Sequence, residues 1–407
     1  MMCAMKSAFT IIKGGGVTSA KGFTACGVAA GIKANRDDMG LLVSATPATV
    51  AGLFTSNKVA AAPVVLDSKR VAKGKAQAII VNAGCANACT GKEGYADAVE
   101  MASLGAKALG IREGLVLVSS TGVIGRRLPM QRVASGIGIG SMALSRKGGD
   151  AFAKAIMTTD TVDKQCAVAF KVGGKAVTVG GCCKGAGMIE PKLATLLTYL
   201  TTDAALSPPL LSKALRTAIG ASFNRITVDG DQSTNDTALL MANGASGATI
   251  KTAQDLRAFT DALRHVCLDL ATKIVKDGEG ATKFVTVAVE KAASAEDALR
   301  AAKAVANSPL FKTACFGGDP NWGRVICAVG YSGAKADPEK IRISFDDICV
   351  YDKGKIADAA TNARLATVMK QKAFTVTIIL GEGRFDDTVY TCDFSYDYVK
   401  INGDYTT

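Results

Sequence analysis

Short apolar runs bounded by glycine or polar residues recur along the chain and predict buried β-strands. Runs rich in Val, Ile and Ala occupy residues 77–82, 115–119, 284–289, 324–329 and 374–380. Two further runs, residues 166–172 and 175–179, are separated only by Gly173 and Gly174. Because two glycines between strands favour a tight turn, these two runs are predicted to form a hairpin.

Helical spacing, with apolar residues recurring every three and four positions, is clearest in residues 253–274 and 295–307. It is weaker in residues 95–109 and in residues 132–144, where several glycines interrupt the pattern. Strands and helices are mixed along the chain rather than segregated. The expected fold class is therefore an α/β (α+β) layered sandwich, with mixed sheets flanked by helices.

Composition and charge narrow the class of protein. The chain has 407 residues, of which 48% are hydrophobic and 21% charged, which is typical of a globular protein with a substantial core. The net charge of +12 could indicate nucleic-acid binding, but basic residues often lie beside acids, as in residues 32–38 and at Asp352 and Lys353. Aromatic residues make up only 6% and no basic stripe appears. Nucleic-acid binding is therefore not expected, and small anionic substrates explain the positive charge equally well.

The cysteines and the N-terminus argue against a disulfide-rich, zinc-binding, secreted or membrane protein. Twelve cysteines are diluted over a long chain, which disfavours a disulfide framework. Cys85 with Cys89, or the adjacent Cys182 and Cys183, could bind metal, but with one histidine and no C-x-x-C motif a zinc site is not expected. Residues 1–13 do not resemble a signal or transit peptide, and no apolar run approaches a membrane span. A cytoplasmic protein that binds no membrane is predicted.

The most informative candidate is Thr195, near the midpoint of the chain behind the glycine-containing run 184–194. With His265 as the only histidine, Ser-His and Cys-His pairings are nearly excluded. Cleavage between Ala194 and Thr195 would free an α-amine that can serve as base for the threonine hydroxyl. The alternative is an ordinary loop feeding a strand. The first interpretation divides the chain into residues 1–194 and 195–407, which we expect to stay interwoven in one core after cleavage.

Other segments could complete such a site, although each also has a structural explanation. Thr121 and Gly122 follow a predicted strand and offer a hydroxyl and a backbone N–H to an oxyanion, or end the strand in a turn. Residues 158–161 could be a turn rich in side-chain hydrogen bonds. Glu279, between two glycines, could bind a substrate ammonium or lie in a solvated turn. Trp322 and His265 are expected to be structural.

Taken together, these segments resemble the ornithine acetyltransferases of arginine biosynthesis, also called bifunctional glutamate N-acetyltransferases. The resemblance extends from residue 15 to the last residue. It is carried by ordered matches at residues 15–23, 81–91, 119–125, 158–160, 184–195, 223–236, 277–283, 319–324 and 398–402. Any one of these matches would be weak, but their number and order make the resemblance specific.

The resemblance implies a self-processing enzyme that moves acetyl from N-acetylornithine to glutamate through an acetyl-Thr195 intermediate. It implies an oxyanion hole at Thr121 and Gly122. The implied substrate contacts are Thr158, Lys184, Thr195, Glu279, Asn402 and Thr407, with Thr159 an open alternative to Thr158. No metal or prosthetic group is implied, acetyl-CoA remains a possible second donor, and the implied assembly is a heterotetramer of two alpha and two beta chains.

The chain departs from the family pattern beside the predicted cleavage point, and two other functions remain as alternatives. The chain has Ala186, Lys192 and Leu193 where the family commonly has Ser, Asn and Met, so the rate of processing is the property these departures would change. An N-terminal-nucleophile amidase or aminopeptidase could share the processing and the fold, with water resolving the acyl-enzyme. A non-catalytic binding protein would instead remain one intact chain.

Overall fold

Two mixed β-sheets with packed helices make up the fold. The computed structural model describes residues 9–190 and 196–404. The strands of the first sheet are β1 (Thr10–Ile11), β2 (Phe23–Val28), β3 (Met39–Phe54), β4 (Lys75–Cys85), β5 (Val116–Val123), β6 (Lys164–Val172), β7 (Lys175–Lys184), β8 (Leu197–Thr202) and β9 (Thr237–Ala242). Those of the second sheet are β10 (Phe284–Ala292), β11 (Arg342–Phe345), β12 (Ile348–Asp352), β13 (Lys355–Ile356), β14 (Ala373–Ile379) and β15 (Phe385–Cys392).

The helices lie between and beside these strands. They are α1 (Ala62–Val71), α2 (Gly91–Leu109), α3 (Met130–Ala143), α4 (Gly149–Ala155), α5 (Pro208–Gly220), α6 (Ala253–Lys276), α7 (Ala295–Ala306), α8 (Pro309–Gly317), α9 (Trp322–Tyr331), α10 (Ala359–Met369) and α11 (Tyr396–Asp404). Short 3-10 turns occupy Glu113–Leu115 and Phe223–Arg225. Within the described ranges, no helix is long and apolar enough to cross a membrane.

The first sheet interleaves strands from the two sides of residue 195. Its order is β1-β6-β7-β8-β9-β3-β4-β5, and β2 pairs with the first part of β3. β8 is antiparallel to β7 and parallel to β9, and β9 is antiparallel to the second part of β3. The two strands that follow residue 195 therefore lie in the middle of a sheet otherwise built from the preceding half.

Both faces of this sheet are covered, as the alternation of side chains along a strand requires. On β9, Leu239 belongs to the buried cluster that contains Phe152 of α4, whereas Leu240 belongs to the opposite cluster with Leu270 of α6. The long helix α6 begins at a capping box in which Thr252 and Asp255 bind each other's backbone N–H. Its position against β6 and β7 brings residues 277–279 beside the first sheet.

The second sheet has the order β13-β12-β11-β14-β10-β15 and its own core. Val285, Val287 and Val289 of β10 alternate into this core, where they join Val305 of α7 and Val329 of α9. Here β10 is parallel to β14 and antiparallel to β15. The fold class predicted from the sequence is confirmed.

The predicted elements are confirmed with one exception. The strands at 77–82, 115–119, 166–172, 175–179, 284–289 and 374–380 and all four helices are present. The strand at residues 324–329 is wrong, because this segment lies in α9. Its buried residues Val325, Ala328 and Val329 follow helical spacing, and the Asn321 side chain caps the helix by accepting from Arg324 N.

The residues predicted to be structural lie in packed surroundings. The Trp322 ring stacks on Tyr351 with 5.0 Å between centroids, at the edge of the second core. The His265 ring lies 4.7 Å from that of Phe9. Both rings are therefore held by aromatic contacts.

Candidate active site

A cavity of about 260 Å³ collects the predicted site residues. Those that line it are Thr121, Gly122, Thr158, Lys184, Glu279 and Asn402, which come from β5, β7, α11 and two loops. Thr159 lines it as well, so the choice between Thr158 and Thr159 stays open. Ala194, Thr195 and Thr407 lie outside the described residues. Leu196, the residue bonded to Thr195, lines the cavity.

The predicted oxyanion hole lies where β4 and β5 end side by side. The two strands are parallel, and their register shifts between Gly84 and Cys85, opposite Gly122. Gly122 has φ +130°, and a Cβ there would lie 2.3 Å from the carbonyl carbon of Gly84. Only glycine permits this approach of the two backbones. The bulge therefore requires glycine at position 122.

Buried amides fix this bulge. Asn82 Nδ2 donates to the Cys85 carbonyl at 2.8 Å, and Ser120 Oγ donates to Asn82 Oδ1 at 2.6 Å. Asn235 Nδ2 reaches both strand ends, donating to the carbonyls of Ala86 at 2.6 Å and Ser120 at 2.8 Å. Such satisfied buried networks are rigid. A residue from the second half of the chain thus supports the Thr121 and Gly122 backbone.

Lys184, at the end of β7, supplies a cation to the cavity. Its Nζ lies 3.4 Å from Thr121 Oγ1. Burial lowers the pKa of Lys184, while the nearby carboxylates of Asp160, Asp236 and Glu279 oppose that change. An ammonium in this position can bind a carboxylate of a small substrate.

A buried ion trio lies behind the cavity. Lys164 Nζ donates to Asp160 Oδ1 at 2.7 Å and to Asp277 Oδ2 at 2.5 Å. The Lys164 and Asp160 side chains are fully buried, and Asp277 is nearly so. Because Asp277 follows α6 directly, the trio joins β6 to the end of that helix.

Asp160 also holds two backbone segments of the cavity wall. Its carboxylate accepts from Gly185 N at 2.6 Å and from Thr158 N at 3.0 Å. Burial by itself would raise the pKa of Asp160, but Lys184 and Lys164 hold that pKa at about 2. The carboxylate therefore stays ionised and keeps Thr158 next to Gly185.

Replacing Lys164 by methionine is expected to lower the free energy of unfolding by about 3–5 kcal/mol, because it strands two buried carboxylates. Urea denaturation at pH 7 measures the effect. The matched control is Lys171→Met, an exposed lysine on the same strand. Equal midpoints for both variants would contradict a structural role for the trio.

Glu279 lies between α6 and β10 and joins two other predicted site segments. Its N–H donates to the Ala186 carbonyl at 2.9 Å, and its Oε2 accepts from Asn402 Nδ2 at 2.8 Å. A Cβ on residue 187 would lie 2.3 Å from the same Oε2. Gly187 is thus required so that the carboxylate can reach the cavity.

The chain is clamped before the predicted cleavage point. The Asp229 carboxylate accepts from Met188 N at 2.6 Å and from Ile189 N at 2.8 Å. Met188 has φ +55°, which is uncommon for a residue with a side chain, so the clamp holds a strained backbone.

Two further contacts hold the backbone on either side of residues 191–195. Glu190 accepts from Lys303 Nζ at 2.7 Å and from Asn307 Nδ2 at 3.2 Å, both on or beside α7. On the other side, Thr237 N donates to the Leu196 carbonyl at 2.8 Å. Leu196 has φ +153°, a value rarely adopted by residues other than glycine. Residues of the second half thus fix both flanks of the predicted cleavage point.

Asp236 is a cavity residue that the sequence reasoning missed. It is 2% exposed and lines the cavity. Burial raises the pKa of Asp236 well above its usual range, although Ser233, Lys184 and the Leu196 N–H oppose that shift. Its Oδ2 has no hydrogen-bond partner among the described residues. Its position at the end of the matched segment 223–236 could have drawn attention to Asp236, but the resemblance implied no role for this residue.

Three of the four candidate metal-binding cysteines are buried in this fold. Burial raises the pKa of Cys85, Cys182 and Cys183. A metal ligand must instead be a thiolate. Across residues 9–190 and 196–404, no group of three or more His, Cys, Asp or Glu side chains is placed to hold a metal ion.

Comparison with known proteins gives full-length matches to one family. A model of the ArgJ family matches residues 24–407. The chain is 49% identical over 398 residues to the arginine biosynthesis bifunctional protein ArgJ of Symbiobacterium thermophilum, covering 97% of this chain and 99% of that protein. It is 51% identical over 395 residues to the protein of the same name from Geobacter sulfurreducens, covering 95% and 99%.

Solved structures match in part. A crystal structure of the arginine biosynthesis bifunctional protein from Bacillus halodurans is 47% identical, covers 46% of this chain and 98% of its own, and has a TM-score of 0.44. Ornithine acetyltransferase complexed with ornithine from Mycobacterium tuberculosis is 42% identical, covers 46% and 100%, and has a TM-score of 0.44.

Proposed function

This chain belongs to the ArgJ family, and we propose that its cavity carries acetyl from N-acetylornithine to glutamate through Thr195. The protein is a bifunctional acetyltransferase of arginine biosynthesis, with ornithine acetyltransferase and glutamate N-acetyltransferase activities. One observation carries the assignment of the site. Six predicted site residues from five separate segments of the chain line one cavity beside Leu196.

Self-cleavage between Ala194 and Thr195 would create the nucleophile. The freed α-amine has a reference pKa of about 7.7–8.0, suited to a general base near neutral pH. The proposed products are an alpha chain, residues 1–194, and a beta chain, residues 195–407. The central position of β8 and β9 supports their staying together, because β7 and β3 hold them from either side.

The charges of the cavity suit an amino-acid substrate. Lys184 would bind a substrate carboxylate and Glu279 a substrate ammonium, as charge-assisted hydrogen bonds. Thr158, Asn402 and Thr407 are proposed as further contacts. Asn402 already bonds to Glu279, so its side chain would orient the carboxylate toward the substrate.

Acetyl transfer would then proceed in two halves. Thr195 Oγ attacks the acetyl carbonyl of N-acetylornithine while the α-amine takes its proton, and ornithine leaves with that proton. The glutamate amine attacks acetyl-Thr195, and Thr195 Oγ regains a proton. The Thr121 hydroxyl and Gly122 N–H would stabilise the oxyanion of each tetrahedral adduct.

The remaining parts of the proposal concern donors and assembly. Acetyl-CoA would supply acetyl when glutamate is acetylated independently of N-acetylornithine. The reaction itself requires no metal or prosthetic group. We propose a heterotetramer of two alpha and two beta chains, acting in the cytoplasm.

Radiolabelled N-acetylornithine tests the reaction. The expected result is label in N-acetylglutamate, with ornithine release beyond one equivalent per chain only when glutamate is added. Without glutamate, mass spectrometry should show a fragment that begins at Thr195 and carries one acetyl group. Release of acetate at the same rate with and without glutamate would contradict the transferase and indicate an amidase.

A further inference from the structure

Self-cleavage poses a chemical problem that the mature enzyme does not have. In the uncut chain, the nitrogen of Thr195 belongs to a peptide bond, and resonance makes it unable to take a proton. The threonine hydroxyl therefore needs another base for the first reaction. This inference rests on the self-cleavage proposed above.

Most carboxylates around the cavity are already occupied by hydrogen bonds to other groups. Asp229 accepts three backbone N–H groups with its two oxygens. Both oxygens of Asp160 are likewise engaged, and a pKa of about 2 makes that group a weak base. Glu279 is held by Asn402 and closely packed against Gly187. Asp231 is exposed to solvent, which leaves its carboxylate without a fixed position.

Asp236 differs from these groups in geometry. Its side chain lines the cavity and is almost completely buried. Its Oδ2 has no hydrogen-bond partner among the described residues. Leu196 lines the same cavity, and its nitrogen is bonded to the carbonyl carbon of Thr195. The adjacent Thr237 N–H holds the Leu196 carbonyl at 2.8 Å. The start of β9 therefore holds Leu196, the residue that follows Thr195, next to a residue with an unpartnered carboxyl oxygen.

We propose that Asp236 is the base of self-cleavage, taking the proton of Thr195 Oγ as that oxygen adds to the carbonyl carbon of Ala194. The resulting oxygen–carbon bond gives a tetrahedral adduct. Asp236 then returns the proton to the Thr195 nitrogen as the carbon–nitrogen bond breaks, which leaves an ester and a free amine. Water hydrolyses the ester, releasing the Ala194 carboxylate and restoring the Thr195 hydroxyl.

The electrostatics of Asp236 agree with this role. Burial raises its pKa well above the usual range, so the carboxylate is a stronger base than an exposed aspartate. Its protonated form is also accessible, as the return of the proton requires. The rate of cleavage should therefore rise with pH as Asp236 loses its proton, and level off above its pKa.

Pulse-labelled cell-free translation, followed by transfer to buffers from pH 4 to pH 9 and by denaturing gels that measure cleavage, tests the proposal. Asp236→Asn is expected to cleave about 10²- to 10⁴-fold more slowly, the range for loss of a general base, and without the acidic limb. Asp236→Glu should restore part of the rate together with the limb. The matched control is Asp67→Asn, which removes a buried carboxyl whose pKa is also raised by burial but which binds Val118 N away from the cavity. It should cleave like the parent chain.

The outcomes separate this role from the proposed function. If Asp236→Asn cleaves at the parent rate while Thr195→Ala stays intact, the Asp236 proposal is wrong and the nucleophile stands. If Thr195→Ala is also cut, the proposed self-processing itself is wrong. If Asp236→Asn fails to fold, as judged by circular dichroism, the parent chain decides: a cleavage rate that does not rise with pH overturns the proposal.

Discussion

Replacing Thr195 by alanine is expected to leave one polypeptide of 41.8 kDa on a denaturing gel and to abolish acetyl transfer. The change removes the hydroxyl needed both for cleavage and for the acyl-enzyme. Removing a nucleophile typically lowers kcat on the order of 10⁴- to 10⁶-fold. Gel electrophoresis and the radiolabel assay measure the two losses on the same sample.

Two variants control this result. Thr195→Ser keeps a hydroxyl and should retain partial cleavage and transfer. Thr217→Ala removes an exposed threonine hydroxyl on α5, bonded to the Lys213 carbonyl, and should change neither property. Turnover by an intact Thr195→Ala chain would disprove the nucleophile.

Replacing Thr121 by valine is expected to lower kcat about 10²- to 10³-fold, the usual cost of losing one oxyanion donor. Valine preserves the shape of the side chain on β5 but cannot donate a hydrogen bond. KM should change little, because the oxyanion forms only in the transition state. Cleavage should slow as well, so rates must be expressed per chain that begins at Thr195.

The control for this variant is Thr217→Val, the same substitution on the exposed face of α5. A raised KM with unchanged kcat in Thr121→Val would show that the Thr121 hydroxyl binds ground-state substrate instead. That result would move the hydroxyl, which lies 3.4 Å from Lys184 Nζ, into the substrate-binding set.

Local patterns predicted most elements of the fold but not their arrangement. Strands such as β4 and the hairpin of β6 and β7 follow from short apolar runs and the turn at Gly173 and Gly174. The strand prediction for residues 324–329 is wrong because the five-residue apolar run within it, residues 325–329, fits a strand or a buried helix equally well. The insertion of β8 and β9 between β7 and β3 depends on contacts between distant segments, which periodicity does not encode.

The candidate site likewise contains residues that the sequence motifs predicted and residues that only the three-dimensional fold brings to it. The matched motifs predicted Thr121, Lys184, Glu279 and Asn402, and the cavity brings them together. They did not predict that Asp277 would complete an ion trio with Lys164, a partner 113 positions away. The roles of Asn235 and Asp236 likewise depend on three-dimensional contacts made by side chains of otherwise ordinary composition.

The central position of β8 and β9 has a consequence for refolding. Once the backbone is cut, the sheet contains two polypeptides that must meet in solution to re-form it. In a cut sample recovering from urea, re-formation of this sheet is then a second-order process whose rate depends on protein concentration, whereas in the uncut chain the same sheet re-forms within one polypeptide in a first-order process. A dilution series thus reports, through kinetics alone, whether the backbone was severed.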